Sequence, residues 1–159
     1  MVYNQLLERS RNIIRLTGVL DAGLAPDDNA MLELFKGIDA RVADLELGTF
    51  DGSIDAATFN QRKSAGNPGL SVAIPAGQDP ARLGRRSRFA TVYLVWDGGE
   101  LRRIILPVHG AGMWAMIYGY VALEGDLNTI ADAIFYEQGE TPGLGDQITR
   151  PDWLAQWRG

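Results

Sequence analysis

Apolar residues recur at helical spacing in the opening of the chain and at alternating spacing near its end. Between Asn4 and Leu20, Leu6, Leu7, Ile13, Ile14 and Leu16 stand among polar residues, which predicts an amphipathic helix stopping near Gly18. Asp27, Asp28 and Asn29 supply capping side chains, and Met31, Leu34, Phe35, Ile38 and Val42 follow on one helical face. Two helices over residues 4–43 are therefore expected. Their opposite faces are mixed in charge rather than basic, so the apolar stripes suit a sheet better than a membrane surface. From Gly48 to Pro80 glycine and proline interrupt every periodic run, predicting a loop-rich middle over 48–88 within one domain, where Phe50, Phe59, Leu70, Val72 and Ile74 can still pack.

Two hairpins are predicted over residues 89–137. Phe89 to Val95 reads as strand. Val92–Trp96 and Leu101–Val108 flank Asp97-Gly98-Gly99, residues that tolerate positive φ. Met116–Leu123 and Asn128–Tyr136 flank a turn at Glu124-Gly125-Asp126. A glycine-rich loop and a C-terminal helix are expected over 138–159. Together these segments predict one soluble α+β domain over residues 1–159, an antiparallel sheet with helices packed on one side.

Composition removes whole classes of function. The 159 residues carry a formal charge of −5, with 46% hydrophobic and 22% charged residues, which fits a globular domain that lacks the cationic excess of a general nucleic-acid binder. There is no cysteine, so disulfides, thiolate catalysis and Cys-bound metals are excluded. The longest apolar stretch, Met113 to Leu123, is too short to cross a bilayer. Arg82, Arg85, Arg86 and Arg88 form a basic patch for which an anion site is one reading and a solvated turn or an interface the better one, with no catalytic role. His109 is the single histidine, so no metal cluster is expected, and a structural hydrogen-bonding role fits it better than general base catalysis.

Two glycine-rich blocks hold the candidate chemistry: His109-Gly110-Ala111-Gly112-Met113-Trp114 and Glu137-Gln138-Gly139-Glu140-Thr141-Pro142-Gly143-Leu144-Gly145. They precede and follow the second hairpin, whose two ends lie at the same edge of an antiparallel sheet, so the loops are expected to meet. Glycine admits close approach of backbone amides to a ligand, and such loops can cradle a phosphate and a flat ring. Gly110 to Ala115 satisfies G-x-G-x-x-A, but the strand-like run that follows replaces the helix a dinucleotide-binding turn requires. Pro142-Gly143 fits a type II turn, and Trp114 suits either core packing or a stacking platform.

At these positions the chain resembles the C subunits of the bacterial sodium-translocating NADH:quinone oxidoreductases. The resemblance rests on Ile105-Leu106-Pro107-Val108-His109-Gly110-x-Gly112-x-Trp114, on Asp126-x-Asn128-Thr129, and on Tyr136-x-x-Gly139-Glu140-Thr141-Pro142-Gly143-Leu144-Gly145. Further agreement lies at Asn60-Gln61-Arg62-Lys63, Arg85-Arg86 and Pro151-x-Trp153-x-Ala155-Gln156-Trp157. It implies an FMN-binding-domain-like α+β fold, truncated, in which FMN bound through its phosphate to a threonine carries electrons between NADH and ubiquinone, coupled to sodium export. The implied flavin-contacting residues are Gly112, Met113, Trp114, Glu140, Thr141, Gly143 and Leu144. Catalytic residues and metal ligands are not expected.

The resemblance also implies an inner-membrane protein whose soluble domain lies on the periplasmic side and whose partners are the other subunits of the pump. Family members begin with a membrane helix and carry the flavin on a Ser/Thr-Gly-Ala-Thr motif. Neither stands in this sequence, so the fragment alone is expected to be inactive, to carry no covalent FMN, to bind free flavin weakly and to self-associate. Two alternatives are the G subunit of the related ferredoxin:NAD electron-transport complex, which shares the flavin motif, and a non-redox interaction or scaffold module.

Overall fold

A computed structural model describes residues 2–20, 26–140, 142 and 144–159. Helix α1 (Val2–Thr17) ends at Gly18, whose φ of +73° reverses the chain as a left-handed cap. Its C-terminal carbonyl at Leu16 accepts a hydrogen bond from the Arg103 guanidinium at 2.9 Å. The Asp27 side chain caps α2 (Asp28–Lys36) by accepting from the Ala30 amide at 2.8 Å.

The helical periodicity extends α2 to residue 43. The structure ends it at Lys36 and places strand β1 (Asp39–Asp44) there instead. The apolar positions Ile38 and Val42 are four apart, a spacing that satisfies a helix turn and a two-residue strand repeat equally. Pairing of Asp39–Asp44 with the central sheet decides for the strand, and Ile38 and Ala40 pack beside the core with Val42 buried.

The main sheet comprises β1, β2 (Thr49–Phe50), β5 (Phe89–Asp97), β6 (Glu100–Ala111), β7 (Met116–Glu124) and β8 (Ile130–Glu137), ordered β2-β1-β5-β6-β7-β8. All neighbours are antiparallel. Gly98 and Gly99, at φ +58° and +84°, form the two-residue β5–β6 turn that the strand twist favours. The β7–β8 turn is longer than the sequence predicts. Asn128 and Thr129 donate their amides to the Asp126 carboxylate, both at 2.9 Å, and β8 begins only at Ile130.

The core lies between α1 and the sheet. Ile13 and Leu16 pack against Tyr93, Val95, Ile105, Tyr120, Ala122 and Ala131. At the β8 edge, Trp153 of α4 (Pro151–Leu154) and Trp157 lie 6.3 and 6.0 Å from Phe135 between ring centres.

The middle of the chain is loop-rich, with short elements: α3 (Gln61–Ala65) and a ribbon of β3 (Ser71–Ala73) and β4 (Arg85–Ser87). Two of the four arginines in the basic patch are spent on this protein's own acids. Arg86 pairs with Glu46, and Arg88 chelates Asp44 at 2.8 and 3.2 Å. The Arg88 guanidinium, helped by the Glu46 and Leu47 amides, holds the Asp44 carboxyl below the usual carboxylate range.

A depressed native pKa stabilises the fold above the unfolded value near 4 and is lost as pH falls through the native one. Arg88→Met is therefore expected to cost stability at pH 7, with the gap to wild type narrowing as pH drops below about 4. Urea denaturation at pH 7 and pH 3 measures both; a gap independent of pH would contradict the pairing.

Candidate cofactor site

The β6–β7 and β8–α4 connections meet at one end of the sheet. In the first, the Gly112 amide donates to the Ala115 carbonyl at 2.8 Å, closing a tight turn that carries Met113 and Trp114 at its tip. These side chains are 78% and 68% exposed, so Trp114 stands on the surface and not in the core. In the second, the Glu140 amide donates to Gln138 Oε1 at 2.6 Å, and Leu144 is 72% exposed just before the 3-10 turn Gly145–Thr149. Thr141 and Gly143, also expected at the site, lie outside the described residues.

Glu140 joins the two loops. A Cβ added to Gly112 would sit 2.0 Å from Glu140 Oε1, and one added to Gly145 would sit 2.6 Å from Glu140 Cβ. At Gly139 an added Cβ would come within 2.8 Å of Ala115 Cβ. The acid thus occupies space that side chains at 112 and 145 would fill. Its Oε1 is shut off from solvent and has no hydrogen-bond partner among the described residues. A buried acceptor without a donor is costly, on the order of 1–3 kcal/mol. The site therefore combines an unsatisfied acceptor with a rim of exposed Met113, Trp114 and Leu144. The exposed rim suits a flat, largely apolar ring.

Two supports were not legible in the sequence. Residues 79–84 fold back onto β6: the Ala111 amide donates to the Ala81 carbonyl at 2.8 Å, and Arg82 Nη2 donates to the Gly112 carbonyl at 3.3 Å. Arg82 itself takes φ +53°, held by the Asp79 carboxylate, which accepts from the Leu83 and Gly84 amides. Asp79 and Gly84 mark a turn in the sequence, but nothing there says which strand it touches. The second support is Arg62, whose guanidinium carbon lies 3.4 Å from the Tyr118 ring centre and which pairs with Glu137.

His109 stacks on Tyr118 at 5.6 Å and 11°. Burial, and then the nearby Arg62 charge, push its pKa down, so it is neutral at pH 7. A groove of about 920 Å³ lies elsewhere, between α1, α2 and β1, lined by Phe35, Ile38, Phe50, Ile54 and Tyr93; it contains no residue of either glycine block.

Residues 112–157, spanning the turn at Gly112 through Trp157, match the FMN-binding domain family. Over 157 residues the chain is 44% identical to the C subunit of the Na(+)-translocating NADH-quinone reductase of Pseudomonas aeruginosa, covering 98% of this chain and 59% of that protein. It is 42% identical to the corresponding protein of Vibrio anguillarum, with coverage of 98% and 59%. The crystal structure of Shewanella oneidensis NqrC superposes with a TM-score of 0.86 at 35% identity, over 98% of this chain and 70% of that one.

A C-subunit structure from Parabacteroides distasonis, at 23% identity and TM-score 0.68, shares the fold. The fold is thus the α+β architecture of the FMN-binding domain class. The chain belongs to the family of Na(+)-translocating NADH-quinone reductase C subunits. It spans 59% of the length of the two curated relatives described above. Among the described residues no helix is long and apolar enough to cross a membrane.

Proposed function

We propose that this chain is the flavin-holding part of the C subunit in a sodium-pumping NADH:quinone oxidoreductase, lying on the periplasmic side of the inner membrane and working with the other subunits of that complex. The observation that carries this reading is the meeting of the two glycine loops through Glu140, lodged between Gly112 and Gly145 with its Oε1 unsatisfied among the described residues, beside the exposed Met113, Trp114 and Leu144. The family match over 112–157 and the names of the relatives support it, and the latter favour it over the ferredoxin:NAD complex.

FMN would supply the electron transfer. The chain's own residues would do the holding: Met113, Trp114 and Leu144 would cover the ring, Gly112 and Gly145 leave room for Glu140 beside it, and Thr141 and Gly143 would complete the loop. Covalent attachment through the phosphate belongs to the family's Ser/Thr-Gly-Ala-Thr motif, which is not among these 159 residues. What this stretch contributes is the non-covalent wall.

Glu140 tunes the bound ring, because a carboxylate nearby disfavours added negative charge. A unit charge several Å away is worth on the order of 1–2 kcal/mol at an effective dielectric near 20. Glu140→Gln is therefore expected to raise the flavin midpoint potential of the full-length protein, read by spectroelectrochemistry. An unchanged potential removes Glu140 from that role.

A further inference from the structure

Helix α3 reaches the far end of the sheet through one side chain. The Asn60 side chain caps α3 by accepting from the Lys63 amide at 3.0 Å, which fixes the direction in which Arg62 leaves the helix. The guanidinium lies flat enough over Tyr118 for its carbon to be 3.4 Å from the ring centre, and it pairs with the Glu137 carboxylate. Tyr118 and Glu137 are direct partners across β7 and β8, next to the register shift at Tyr118/Gly119. Tyr118 is also the partner of His109 across β6 and β7, and the two rings stack.

One arginine thus holds the last rung that β6, β7 and β8 share, beyond which β6 and β7 pair for two more rungs. Beyond that rung β7 runs back to Ala115 and Gly112, and β8 runs on to Gly139 and Glu140. The Arg62 and Glu137 side chains are half exposed and stand outside the buried core. Their contacts therefore bear on the local spacing of the strand ends more than on global stability.

We infer that Arg62 is a positioning residue for the cradle: by clamping Tyr118 and Glu137 together it sets the separation of the two glycine loops and keeps Glu140 seated against Gly112. The inference rests on the FMN reading for what the cradle holds, whereas the clamp itself is a property of the chain without ligand. Lysine can supply the charge but not the planar stack, so Arg62→Lys should retain only part of the effect.

The test compares wild type, Arg62→Met and Arg62→Lys in two measurements. Amide hydrogen exchange without ligand should rise about tenfold at Gly112 and Glu140 in Arg62→Met, and less in Arg62→Lys, while the Ile105 amide is unchanged; lost stacking and pairing contacts together are worth about that factor. Titration with FMN, followed by the Trp114 indole NMR signal, should show a dissociation constant about tenfold weaker in Arg62→Met and an intermediate value in Arg62→Lys. Unchanged exchange at the loops, or an equal rise throughout the sheet, would overturn the inference. A wild-type chain that binds no FMN would overturn the flavin reading, and the exchange comparison would still decide whether Arg62 holds the loops.

Discussion

Replacing Gly112 with alanine is expected to unseat Glu140 and weaken FMN binding by about 10- to 100-fold, the equivalent of the roughly 1–3 kcal/mol that overpacking costs. The new methyl would lie 2.0 Å from Glu140 Oε1, 2.8 Å from the Ala115 carbonyl oxygen and 2.9 Å from Ile117 Cδ1. Glu140 can swing away, but the Ala115 carbonyl belongs to the turn itself and cannot yield without opening it. Gly112 is not among the residues of positive φ, so alanine adopts its backbone conformation without strain and the whole effect is steric. Gly52→Ala is the matched control, because a Cβ there meets nothing within 4 Å. Flavin titration of both variants measures the difference, and equal affinities would contradict the packing described for Glu140.

Ile105→Ala is expected to cost about 2–5 kcal/mol of global stability, the range for emptying a fully buried aliphatic site that cannot collapse. Ile105 has no exposed surface and shares its cluster with Ile13, Leu16, Tyr93 and Tyr120, which belong to α1 and to both neighbouring strands. Those elements are fixed by the β-ladder on one side and by the Arg103 cap of α1 on the other, so relaxation into the void is limited. Urea denaturation gives the value directly. A loss below about 1 kcal/mol would mean that the core does not close around β6.

The hairpins were legible because their signals are local. Alternating apolar residues and the pair Gly98-Gly99 specify a β5–β6 turn without help from the rest of the chain, and that is where the turn stands. Residues 38–42 read as helix in isolation because a spacing of four fits both periods, and only β5, far along the chain, breaks the tie. The meeting of the two glycine loops followed from antiparallel geometry alone, and Glu140 against Gly112 and Gly145 is its physical form.

The bracing of those loops was beyond sequence reasoning. Arg62 and Ala81 reach them through tertiary folding of a segment whose glycines and prolines mark turns but name no destination. Arg88 shows the same limit in reverse. Along the sequence it belongs to a surface patch, whereas in the fold the Asp44 carboxylate lies beneath it. Trp114, which the sequence left between core and platform, is exposed in the short turn beyond the last β6–β7 pair.

The central claim is that the two glycine loops form one flavin-holding site, and titration of the isotopically labelled chain with FMN by amide and indole NMR tests it most directly. The account predicts saturable shifts concentrated at Gly112, Met113, the Trp114 indole, Glu140 and Leu144. Saturable shifts confined to the separate groove at Phe35, Ile38 and Ile54, or no saturable shifts at the loops, would contradict it.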